Sequence, residues 1–126
     1  MKKFKEIHQK EIKEDMAPQL GYPDCGSGWY SKELSYKDWF TMNCGQRCQL
    51  NFLEQLPIIM ITSLLAGIHQ ARITFYIEIF YCIARLMYGF GYMKSPKARV
   101  PGAIMQDLAL VALIGLAYKE VYDMIM

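Results

Sequence analysis

Polar and apolar positions are distributed very unevenly along this chain. From Met1 to Asp15 the charges alternate in sign, five lysines against Glu6, Glu11, Glu14 and Asp15, while Ile7 and Ile12 are too sparse for a strong apolar stripe. That pattern predicts a solvated helix. Pro18, Gly21, Pro23, Gly26 and Gly28 then break regular structure. Trp29, Tyr30, Tyr36, Trp39 and Phe40 gather at the threshold of the first apolar stretch. Amphipathic rings concentrate at the headgroup level, so this cluster reads as an interfacial anchor, with core packing as the alternative. Three long apolar stretches follow, at about 41–67, 71–92 and 101–118. Each is close to the ~20 residues that cross a ~30 Å hydrocarbon layer, the first only if its polar opening turns are included. The short 67–70 connection predicts an antiparallel hairpin. Pro101 suits the first turn of the last helix, where no N–H is needed. The expectation is an all-α membrane protein, with a polar leader over 1–40 and a transmembrane domain over 41–126.

Composition sharpens that picture. The 126 residues amount to one domain, 53% hydrophobic and 21% charged, with the charge concentrated in the leader and short loops. A net charge of +2, without a basic stripe interleaved with aromatics, gives no case for a nucleic-acid partner. Cys25, Cys44, Cys48 and Cys82 form no CxxC pair, and His8 and His69 are the only histidines. No metal site is expected from that spacing. Cys82 is expected to pack as a small hydrophobe. The first 18 residues lack both an apolar core and arginine, so neither a secretory signal nor a mitochondrial transit peptide is expected there. The 93–100 loop holds Lys94, Lys97 and Arg99 and no acid, which favours a cytoplasmic position for it and for the leader.

The candidate chemistry sits at the ends of the apolar stretches. Arg47, Asn51 and Glu54 fall at i, i+4 and i+7, one helical face, with Gln49 beside them. A charge at bilayer depth costs roughly 2.5–3.5 kcal/mol or more unless paired or hydrated, so this face is a ligand site or a helix interface. Arg85, Tyr88 and Tyr92 form a second face at i, i+3 and i+7, and Arg99 follows in the loop. Three crossings bring both faces to the same membrane surface. The plainer readings make Arg85 a helix tie to Asp107 or Glu54, and Tyr88 and Tyr92 belt aromatics.

The run from Arg47 through Asn51 and Glu54 to Pro57, with Ala84–Tyr92 and Lys97–Gly102 behind it, resembles the signature of the MAPEG family, membrane-associated proteins in eicosanoid and glutathione metabolism. The resemblance runs from about Tyr22 to the end and is nearest the type 3 microsomal glutathione transferases. Gln55 stands where leukotriene C4 synthase-like members carry tyrosine. It implies a four-helix membrane bundle of which this chain holds three helices, the family's first having no counterpart. It further implies a trimer binding glutathione between subunits, through the positions of Arg47, Asn51, Glu54, Tyr88 and Tyr92, with Arg99 stabilising the thiolate; Gln49 and Arg85 add an amide and a cation to these as candidate glutathione contacts. Such a set fits a peptide with two carboxylates, an ammonium and a thiol. The implied function is a glutathione transferase and peroxidase acting on lipophilic substrates or lipids. The alternative is a non-catalytic subunit of a larger hetero-oligomeric membrane complex. The endoplasmic reticulum membrane is the expected location, a mitochondrial membrane the alternative.

Overall fold

A computed structural model describes residues 2–12 and 24–126. Pro18, Gly21 and Pro23, expected to break regular structure, lie outside the described residues. The helices are α1 (Lys2–Ile12), α2 (Tyr36–Lys94) and α3 (Val100–Ile125), with a short 3₁₀ turn at Ser31–Glu33; no strand occurs among the described residues. α2 and α3 are each long and apolar enough to cross a membrane. The chain divides into two compact units, 1–46 and 47–126.

Within the first unit, the Asp24 carboxylate organises the approach to α2. Its Oδ1 accepts the Gly26 N–H at 3.1 Å, and its Oδ2 accepts the Ser31 N–H at 3.0 Å and the Ser31 hydroxyl at 3.2 Å. Gly26, at φ +82°, carries a carbonyl that accepts from Trp39 Nε1 and Asn43 Nδ2, each at 3.1 Å. α2 starts ahead of the expected position 41. Ser35 Oγ accepts the Asp38 N–H at 3.2 Å and donates to the Asp38 carboxylate at 2.7 Å, a reciprocal cap on the free end of the helix. Tyr36 stacks on Trp39 and Phe40 with centroids 5.9 and 6.1 Å apart, and all three rings remain exposed.

The second unit is an antiparallel helical arrangement. α2 breaks at Gln70, whose φ of −115° and ψ of 40° are not helical. Its two arms, 47–69 and 71–94, fold back on each other, because Tyr88 reaches Asn51, Arg85 reaches Cys48 and Tyr81 reaches Gln55. The tight hairpin expected at 67–70 is therefore present. α3 runs antiparallel to the second arm, since Arg85 meets Gln106 and Gln70 meets Glu120. It runs parallel to the first arm, where Gln55 meets Asp107 and His69 meets Glu120.

Small residues make that packing possible. Ala66, Ala84, Ala109 and Ala117 are buried, and α3 approaches so closely at Gly102 that a Cβ there would strike the Tyr88 backbone. Large side chains such as Leu64, Phe90 and Val111 point outward instead. The inversion is what a bilayer solvent permits: apolar exterior costs nothing, and close backbone approach supplies the contact. Cys82, expected to be packed inside, is exposed, because its position on the second arm faces away from both neighbours.

Candidate functional site

Four of the sequence-predicted residues meet where the second arm ends and α3 begins. Tyr88 is 3% exposed, and its hydroxyl donates to Asn51 Oδ1 at 2.9 Å. Tyr92, 7% exposed, packs edge-on against Tyr88 with centroids 5.6 Å apart. Burial of both rings removes the belt-aromatic reading. Arg99 lies with its Cζ 4.6 Å from the Tyr92 centroid, close enough for a cation–π contact.

Arg99 reaches that ring because the chain before it is folded tightly. The Ala98 N–H donates to the Ser95 carbonyl at 3.0 Å and the Ser95 hydroxyl at 3.2 Å, which turns 95–98 back toward α2. The turn can press against the helix only because residue 91 is glycine. A Cβ at Gly91 would collide with the Ala98 carbonyl.

Arg85 forms the floor. Its Nη1 donates to Gln106 Oε1 at 3.2 Å, and its Nη2 donates to the Cys48 carbonyl. The guanidinium also lies 4.7 Å from the Tyr88 centroid and 5.2 Å from that of Phe52. Neither partner expected of a helix tie is used: Arg85 pairs with neither Asp107 nor Glu54. Its contacts with neutral carbonyls and ring faces leave the positive charge in place.

Arg47, Gln49 and Glu54 are not drawn in. All three are exposed on this chain, so the face shared by Arg47, Asn51 and Glu54 delivers only Asn51 to the cluster. The first arm turns Cys48, Asn51 and Gln55 toward the second arm, and Arg47 and Glu54 flank that edge on its outer side.

Sequence reasoning missed the layers beneath. One step deeper, the Tyr81 hydroxyl donates to Gln55 Oε1 at 3.0 Å, and Gln55 Nε2 donates to Asp107 Oδ1 at 3.2 Å. Gln106 is 3% exposed. The available signal was a pair of polar residues, Gln106 and Asp107, opening an otherwise apolar run. At the far end, Glu120 is clasped by His69 Nδ1 at 2.7 Å and Gln70 Nε2 at 2.9 Å. No group of three metal-ligating side chains occurs among the described residues.

Chemically, the cluster is a T-shaped tyrosine pair bracketed by two guanidiniums and edged by an amide. It offers hydrogen-bond donors and positive charge to an anion at the end of a membrane helix bundle. The MAPEG family model matches residues 12–119. No solved structure matches the chain.

Proposed function

The chain belongs to the MAPEG family, and we propose that it is a membrane-bound glutathione transferase with peroxidase activity toward lipophilic electrophiles and lipid hydroperoxides. The single observation that carries this reading is the convergence of Arg85, Arg99, Tyr88, Tyr92 and Asn51 at one end of the bundle. In the proposal, the two α2 arms and α3 each cross the bilayer. The 93–100 loop faces the cytoplasm, and the protein resides in the endoplasmic reticulum membrane. Arg47, Gln49 and Glu54, exposed on one chain, complete the site against a neighbouring copy in a homotrimer.

A free thiol of pKa about 8.5 is mostly protonated at neutral pH. The Arg99 guanidinium, always charged, favours the thiolate, and each unit of lowering needs about 1.4 kcal/mol of differential stabilisation. The thiolate sulfur then attacks an electrophilic carbon and expels its leaving group, giving a thioether. With a hydroperoxide it attacks the terminal oxygen, breaking the O–O bond to give an alcohol and a sulfenic acid. A second glutathione converts that acid to the disulfide and water. Arg85, Asn51, Tyr88 and Tyr92 hold the tripeptide.

The test is turnover of an activated aryl halide and of a fatty-acid hydroperoxide by the detergent-purified protein. Glutathione-dependent product with both substrates, strongly reduced in Arg99→Ala, is expected. Absence of glutathione-dependent turnover in the wild type would overturn the proposal.

A further inference from the structure

Arg85 is held by a residue that has no assigned role. Gln106, 3% exposed, presents Oε1 to Arg85 Nη1 at 3.2 Å, while the Cys48 carbonyl takes Nη2. The rings of Phe52 and Tyr88 flank the guanidinium. Every one of these partners is neutral. Among the described residues, the only carboxylates within 4.0 Å of a basic side chain are Glu120, beside His69, and Asp123, beside Lys119, so none lies that close to Arg85.

That is an unusual way to settle a cation in an apolar helix bundle. Charge at this depth is costly unless paired or hydrated, and a carboxylate at position 106 would compensate it directly. A carboxylate is in fact one residue away. Asp107, however, is turned by about 100° around α3 and accepts from Gln55 rather than from Arg85. The helical register thus gives Arg85 the amide and sends the acid to the other side. The guanidinium has five N–H donors in a rigid fork, more than its two carbonyl partners consume, and the residue is only half-buried.

We propose that Gln106 is a positioning residue that fixes the Arg85 guanidinium while leaving its charge uncompensated, so that the floor of the site takes a carboxylate of the bound tripeptide. The amide supplies the acceptor that orients the fork without supplying the negative charge that would occupy it. This assignment rests on the glutathione reading and extends it to the residue that sets preference for an anionic ligand.

The experiment is equilibrium binding of glutathione and of its dimethyl ester, in which both carboxylates are masked, to the detergent-purified full chain. The wild type is expected to bind glutathione at least tenfold more tightly than the ester. Gln106→Glu matches the wild-type side chain in shape but carries a charge that pairs with Arg85. It is expected to keep its melting temperature, lose at least tenfold in glutathione affinity and bind the ester as before. Gln106→Met removes the acceptor and leaves the guanidinium charged but unfixed. A smaller loss, about threefold and confined to glutathione, is expected for it. Wild-type affinity and preference in Gln106→Glu would overturn the assignment; so would wild-type behaviour in Gln106→Met, should the glutamate variant not fold. A wild type that binds no glutathione overturns the underlying function itself, and is distinguished by failing before any variant is compared.

Discussion

The two ends of the helical unit treat charge in opposite ways. At the hairpin end, Glu120 is 3% exposed and its carboxylate is matched by both His69 and Gln70, while Lys119 pairs with Asp123 at 2.6 Å. At the other end, Arg85 and Arg99 meet tyrosine faces and neutral carbonyls. A satisfied network closes a structure, whereas a buried or half-buried cation without a counter-charge leaves a place for an anion. The hairpin end ties Gln70, where α2 reverses, to α3. The cationic end keeps two guanidiniums with no described carboxylate beside them, which is why the proposal puts the ligand there.

Prying the cationic end apart is expected to have the largest effect. Gly102→Val places a branched side chain against the Tyr88 backbone, so α3 and the second arm must separate. Overpacking of this kind costs about 1–3 kcal/mol, and more where backbone is the obstacle. A lower melting temperature together with loss of glutathione binding is expected. Unchanged melting would show that the helices do not meet as described.

A gentler change sharpens the same end. Tyr88→Phe deletes only the hydroxyl that donates to Asn51. That bond fixes Asn51 and is worth about 1 kcal/mol to the folded state, so a small fall in melting temperature and, with Asn51 no longer held, weaker glutathione binding are expected. Equal affinity in the variant would remove Asn51 and Tyr88 from the binding set.

The smallest effect is expected at the hairpin end. Gln70 Nε2 and His69 Nδ1 lie 2.9 and 2.7 Å from the Glu120 carboxylate. Glu120→Gln keeps the shape of the side chain and weakens this clasp, and a net hydrogen bond is worth about 1 kcal/mol. A slightly lower melting temperature is expected, with glutathione binding the same as in the wild type. An unchanged melting temperature would mean that the clasp adds nothing to stability.

Much of this architecture was legible in the chain, for reasons that particular residues make clear. The hairpin followed from the short connection between two long apolar stretches, and the Arg85, Tyr88 and Tyr92 face followed from helical spacing. Asn51 was legible as a candidate, but its separation from Arg47 and Glu54 was not. In a membrane helix the lipid-facing and packing faces are both apolar, so periodicity alone does not say which side turns inward. The inward sides of α2 and α3 are marked instead by Ala66, Ala84, Gly102, Ala109 and Ala117, a subtler signal than hydrophobicity. α2 begins ahead of its apolar onset because Ser35 and Asp38, a capping pair three residues apart, start the helix before the hydrophobic run does. The exchange of roles between Gln106 and Asp107 depends on helix rotation about a close-packed axis, which no linear pattern encodes.

The most direct measurement is an ultraviolet difference titration of glutathione bound to the detergent-purified protein. At pH 7 the wild type should show thiolate absorbance that free glutathione at the same concentration lacks. Arg99→Ala should bind the tripeptide with little change, yet show the absorbance only about one to two pH units higher. Thiolate absorbance at the same pH in the wild type and in Arg99→Ala would contradict the role given to the cationic end.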